Sequence, residues 1–129
     1  MNSPTQELLR SGGFTYECHP DLARDVETAE SDDPGCWIDM RVTLDRIRKG
    51  SCRSDDWLAP LSRKYADIGE IKRRSGRRLY RLYANAPRNV PGVLYLLHFA
   101  WKSPGEKGLD IQDRHIDAAF GRLMQMPEQ

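Results

Sequence analysis

The sequence predicts an α+β fold: a small antiparallel sheet packed against a helical hairpin, in the order (α)βααβββα. Three observations predict it. Between Pro20 and Gly50, apolar residues recur at helical spacing. Leu22, Val26 and Ala29 come first, then Trp37, Met40, Leu44 and Ile47 after a break at Ser31-Asp32-Asp33. Between Ile68 and Trp101, three runs of strand-forming residues are separated by turn signals, and short turns make such strands antiparallel. Near the C-terminus, Ile116, Ala119, Phe120 and Leu123 give a last helix one apolar face. A chain of 129 residues, 39% hydrophobic and 30% charged, fits one globular domain spanning 1–129.

Each element has local signals. Ser3-Pro4 followed by Gln6 reads as an N-cap, a proline at the first helical position and a capping-box glutamine. Gly12-Gly13 ends that short helix. Phe14 to Cys18 reads as a short strand, and Pro20-Asp21 opens a helix whose acids face away from the apolar stripe. Asp33 is placed to cap the next helix, with Pro34 at its first position. Arg46, Arg48 and Lys49 suit the dipole in its last turn, and Gly50 terminates it. Ser51 to Tyr65 reads as irregular, pinned by Trp57, Leu58 and Leu61. Ile68–Arg73 and Arg77–Ala84 read as a hairpin about Ser75-Gly76. The two prolines between Asn85 and Pro91 make a loop, and GVLYLLHFAW, Gly92 to Trp101, reads as a buried central strand. A further loop spans Ser103 to Gly108, and Asp110 with Asp113 is expected to cap the last helix.

Composition excludes several classes. No apolar run approaches the roughly 20 residues of a membrane helix. MNSPTQELLR lacks the basic and apolar regions of a signal peptide, so the cytoplasm is expected. Cys18, Cys36 and Cys52 are odd in number and widely spaced, and no C-x-x-C pair is present. Reduced cysteines are expected rather than disulfides or zinc, and no metal or other cofactor. Ser11-Gly12-Gly13 lacks the Lys-Ser/Thr of a phosphate loop.

The net charge of +1 conceals two opposed regions. Phe14 to Asp39 holds eight acids against Arg24 alone, whereas Lys72 to Arg88 holds seven Lys or Arg and no acid. Lys72, Arg73, Arg74, Arg77 and Arg78, with Tyr80 among them, point to an anionic partner.

Four strings, in order, resemble the RelE/ParE superfamily of toxin–antitoxin toxins, particularly its phage-related HigB-like branch. They are Ile68-Gly69-Glu70-Ile71-Lys72, Tyr80-Arg81-Leu82-Tyr83, Leu97-His98-Phe99-Ala100-Trp101-Lys102, and Arg114-His115-Ile116-Asp117-Ala118-Ala119 with Arg122-Leu123. The resemblance covers most of the chain and makes 14–125 the toxin domain and 1–13 an N-terminal extension. Three features depart from the family pattern: Ser103 follows Lys102 where a second lysine is usual, the loop before the last helix is longer, and the N-terminal segment is extra. The resemblance implies a type II toxin that enters the ribosome and cuts mRNA as a metal-independent endoribonuclease. It implies a cognate helix-turn-helix antitoxin, and a sheet apolar on its helix side and basic on the other so that it can lie against RNA. Other roles on such a fold are a gyrase inhibitor or a phage accessory protein that binds nucleic acid.

Metal-free RNA cleavage uses the 2′-oxygen as nucleophile, so the protein must accept a proton, stabilise phosphorane-like charge and help the 5′-oxygen leave. An arginine fork suits the second task, and the resemblance favours Arg81 for it. A base would have to be His98, His115, a carboxylate or a lysine whose pKa is lowered by neighbouring cations. His98 and Lys102 are the candidates nearest Arg81, alternation placing them on one strand face with Leu94, Leu96 and Ala100. His98 also suits a hydrogen-bonded core position. His115 reads as a surface helix residue, Glu70 as the partner of a neighbouring arginine, and one of Tyr80 and Tyr83 as a stacking platform for bases.

Overall fold

The computed structural model describes residues 13–57, 68–87, 89–102 and 108–127. The chain runs β1 (Thr15–Cys18), α1 (Leu22–Asp32), α2 (Ile38–Arg48), β2 (Gly69–Ser75), β3 (Arg78–Asn85), β4 (Val93–Lys102) and α3 (Gly108–Leu123). The expected N-terminal helix, Leu58, Leu61, Arg88 and the 103–107 loop lie outside the described residues. No helix among the described residues is long and apolar enough to cross a membrane.

One sheet has the order β1-β4-β3-β2. The β2–β3–β4 pairs are antiparallel, whereas β1 lies parallel to β4, Thr15 opposite Val93 through Cys18 opposite Leu96. Ser75 pairs with Arg78 across the hairpin, and Gly76 supplies the positive φ of 57° that the turn uses. α1 rests on β4 and α2 on β2, joined by a turn at 34–37.

Helices cover both faces. On the first, Leu22 and Ala29 of α1 and Met40, Leu44 and Ile47 of α2 pack with Ile71, Tyr80, Leu82, Leu94, Leu96 and Phe99. Burial of each large apolar side chain contributes about 1.5–3 kcal/mol before entropy is counted. On the second, Ile116, Ala119 and Leu123 of α3 pack on Tyr83, Tyr95 and Leu97. The second face is therefore not the open basic surface expected, because α3 covers part of it.

Three local expectations change. α2 begins at Ile38, with Trp37 at its N-cap, and the Asp33 carboxylate accepts the Tyr80 hydroxyl at 3.1 Å. α3 begins at Gly108, so Asp113 lies inside it, exposed, and is not a cap. Strict alternation along β4 also fails. Tyr83 pairs with His98 but Ala84 with Leu96, so Leu97 is a bulge residue without a cross-strand partner. The bulge sends Leu97 to the second face beside His98 and returns Phe99 to the first. His98 and Lys102 still share a face, but Leu94 and Leu96 lie on the other.

Gly69 opens β2 because Trp57 lies across it: a Cβ there would sit 2.1 Å from the indole. Gly69→Ala must displace a tryptophan that is 3% exposed. We expect a loss of about 3 kcal/mol, read as a lower urea midpoint, with a red shift in tryptophan emission.

Candidate active site

The ladder sorts the basic hairpin by face. Arg73 and Tyr80 oppose each other, as do Lys72 and Arg81, and Arg74 and Leu79. The Arg73–Tyr80 rung points into the helix layer. Arg73 donates to the buried Asp56 and, at 2.9 Å, to Thr43 of α2. Tyr80 is 0% exposed, stacked on Phe99 at 5.3 Å between centroids. Arg78 lies 4.9 Å over the Trp101 ring and 3.8 Å from Asp32. Two of these leave the expected RNA-binding set: the Tyr80 ring, with no exposed surface, cannot stack on a base, and Arg73 is committed to the buried Asp56. Arg78 stays partly exposed beside Trp101. The basic run is partly counter-charge for acids of other segments.

Lys72, Arg74, Arg77 and Lys102 form no ion pair with another described residue, and Arg74 and Arg77 are exposed. Arg81 shares the second face with Lys72, two positions along β3 from Tyr83, which faces His98; Lys102 faces Leu79. The structure thus brings Arg81, His98 and Lys102 onto one face of adjacent strands, with successive same-face rungs about 7 Å apart. Arg81 is not free, however. Its Nε lies 3.3 Å from Oε2 of Glu70, with the side chains 11% and 4% exposed. Burial raises the Glu70 pKa above the ordinary value, against the opposing pull of Arg81 and Lys72. Tyr83, 1% exposed, has its pKa raised by burial and then by Glu70, and its hydroxyl has no hydrogen-bond partner among the described residues.

The sheet edge carries the more open geometry. β1 stops opposite Leu96, and the outer edge of β4 beyond it is met by side chains from both helix layers. Asp25 of α1 accepts the Phe99 N–H at 3.1 Å, and Arg122 of α3 donates to the Leu97 carbonyl at 2.8 Å. The two side chains bind each other through both guanidinium Nη atoms. Backbone groups of the β4 edge beyond β1 are thereby satisfied. His98 Nδ1 is buried 3.2 Å from Asp25 Oδ2, in ion-pair range but outside hydrogen-bond geometry. Burial alone would raise the Asp25 pKa, but His98, Arg122 and the Phe99 amide together bring it down to about 2.

Beside this pair lies a cleft of about 530 Å³, lined by Arg24, Asp25, Thr28, His98, Phe99, Ala100, Trp101 and His115. His115 is not the surface residue expected. It is half-buried, its ring centroid 5.7 Å from that of His98 and 6.3 Å from that of Tyr83. A second groove, about 540 Å³ between β1 and α2, is lined by Tyr16, Ile38, Arg41, Val42, Leu44, Asp45 and Arg48 and has no histidine. Of these two clefts, only the first is lined by imidazoles. Among the described residues no group of His, Cys, Asp or Glu is placed to hold a metal ion.

Sequence reasoning passed over Asp25, which nevertheless left a signal. It stands three residues after Leu22 and four before Ala29, inside the apolar stripe, where an unpaired acid would be costly. Comparisons with protein-family models, with characterised proteins and with solved structures gave no significant match.

Proposed function

We propose that the chain is the toxin of a type II toxin–antitoxin pair, of RelE/ParE type, acting in the cytoplasm as a ribosome-dependent mRNA endoribonuclease. It would need no cofactor and would be restrained by a helix-turn-helix antitoxin. The observation that carries this reading is the gathering of Arg81, His98 and Lys102 on one face of adjacent strands, beside Lys72 and Arg74, which form no ion pair among the described residues. A cation fork, an imidazole and a basic approach surface are what cleavage through the 2′-oxygen requires. The element order βααβββα, on which the resemblance rests, also supports it. One observation favours a second reading, a non-catalytic binding module such as a gyrase inhibitor or an accessory nucleic-acid-binding protein: Arg81 is already held by Glu70.

Expression of the chain alone, with mapping of mRNA 5′ ends, separates the two. Cuts within translated codons are expected, and growth arrest with intact mRNA would overturn the nuclease reading. Reversing charge at Lys72, Arg74 and Arg77 together should abolish cutting. It should also flatten the dependence of log RNA affinity on log salt by about 0.7 for each phosphate that is no longer neutralised. An unchanged slope would remove these residues from the interface.

A further inference from the structure

We propose that His98 and His115 are the base and the acid of the cleavage step, and that Asp25 is the counter-charge of His98. This rests on the ribonuclease reading and assigns its unnamed proton donor. Two imidazoles from different elements, β4 and α3, stand 5.7 Å apart between centroids at the wall of a 530 Å³ cleft. That volume is within the range of small-ligand sites, large enough for a nucleotide. Arg24 on the same wall adds a cation for the phosphate, and Trp101 an aromatic surface. Nδ1 of His98 is buried against Asp25, which leaves Nε2 as the nitrogen available to the cleft. Asp25 is itself fixed by Arg122 and the Phe99 amide, so its charge stands ready to favour the imidazolium that forms 3.2 Å away.

The step balances without a co-reactant. The 2′-hydroxyl proton passes to His98 as the O2′–P bond forms. The P–O5′ bond breaks, its electron pair stays on O5′, and O5′ takes a proton from His115. One proton has moved from O2′ to O5′, and the products are a 2′,3′-cyclic phosphate and a 5′-hydroxyl.

The test uses the full chain on programmed ribosomes. Wild-type cuts should carry those two ends, and the single-turnover rate should follow a bell in pH. Among the described residues, the groups facing the histidines include Arg24 and Asp25 from α1, Tyr83 from β3 and Arg122 from α3. His98→Gln and His115→Gln should each slow cleavage by about 10²–10⁴. The first should remove the acidic limb of the bell and the second the alkaline limb. Asp25→Asn should keep the bell but move its acidic limb to lower pH, because the imidazolium loses its counter-charge. A loss of order alone would not move that limb. His115→Asn, with a thermal melt, controls for folding, and the wild-type ends and profile need no variant. Cuts bearing 5′-phosphates, or folded His115 variants with wild-type rate and an intact bell, overturn the acid–base pair while the ribonuclease reading stands. Ribosome-bound mRNA left whole by the wild type overturns both.

Discussion

Replacing Asp56 with alanine should destabilise the protein by about 3–5 kcal/mol, the cost of stranding charges when a buried ion pair loses one partner. The side chain of Asp56 is 0% exposed. Arg46 binds it through both oxygens, at 3.0 and 2.7 Å, Arg73 donates to Oδ1, and the Arg53 N–H reaches Oδ2 at 2.9 Å. Burial pushes its pKa up, but these donors outweigh burial and hold it below the ordinary carboxylate value. One carboxylate therefore ties the segment after α2 to α2 itself and to β2. Its removal leaves two guanidiniums at the helix–sheet interface without a counter-charge. Total stabilities of about 5–15 kcal/mol make this a large fraction. Urea unfolding followed by both far-ultraviolet circular dichroism and tryptophan emission measures it. Asp45→Ala is the control: Asp45 pairs with Arg48 and Lys49 on the exposed side of α2, and its loss should leave the midpoint in place. Equal midpoints for the two variants would deny Asp56 its role.

The elements themselves were legible because their signals are local. Leu22/Ala29 and Met40/Leu44/Ile47 repeat at helical spacing, and Gly76 marks the hairpin. What the sequence concealed depends on partners far along the chain. Arg73, Arg74, Arg77 and Arg78 look alike as a string, yet Arg73 is held by the buried Asp56 and Arg78 lies over Trp101, whereas Arg74 and Arg77 are exposed. Alternation assigns a face only while pairing is regular, and the Leu97 bulge resets it within β4. β1 ends opposite Leu96, and Asp25 and Arg122, far away in the chain, bind the β4 backbone beyond it at Phe99 and Leu97. The cleft itself is assembled from α1, β4 and α3, with more than 70 residues of chain between Asp25 and His98.

Arg81→Ala should lower stability by about 3 kcal/mol at pH 7.5, and much of that loss should return near pH 4.5. The reason is Glu70. Its folded pKa is raised by burial even with Arg81 3.3 Å away, so its contribution to stability is fully present below its unfolded value of about 4.3 and is lost as pH rises through the folded value. Removing Arg81 takes away the nearest favourable charge and drives the folded value higher still. The penalty then grows at neutral pH and vanishes where the carboxyl is protonated in both states. Glu70→Gln in the Arg81→Ala background removes the charge without changing the shape, so the double variant should be more stable than Arg81→Ala at pH 7.5 and insensitive to this pH interval. A double variant no more stable than the single one would mean that Glu70 is not what Arg81 neutralises. The double variant also isolates function from folding. If Arg81 reaches the scissile phosphate with the fork atoms that Glu70 leaves unused, the folded double variant should cut mRNA about 10²–10³ more slowly than Glu70→Gln alone. Arg81→Lys on the Glu70→Gln background should recover only part of that rate, because lysine restores the charge but not the planar fork. Equal rates for Glu70→Gln with and without Arg81 would confine Arg81 to its structural pair and leave the phosphate to Arg24, Lys72 and Lys102.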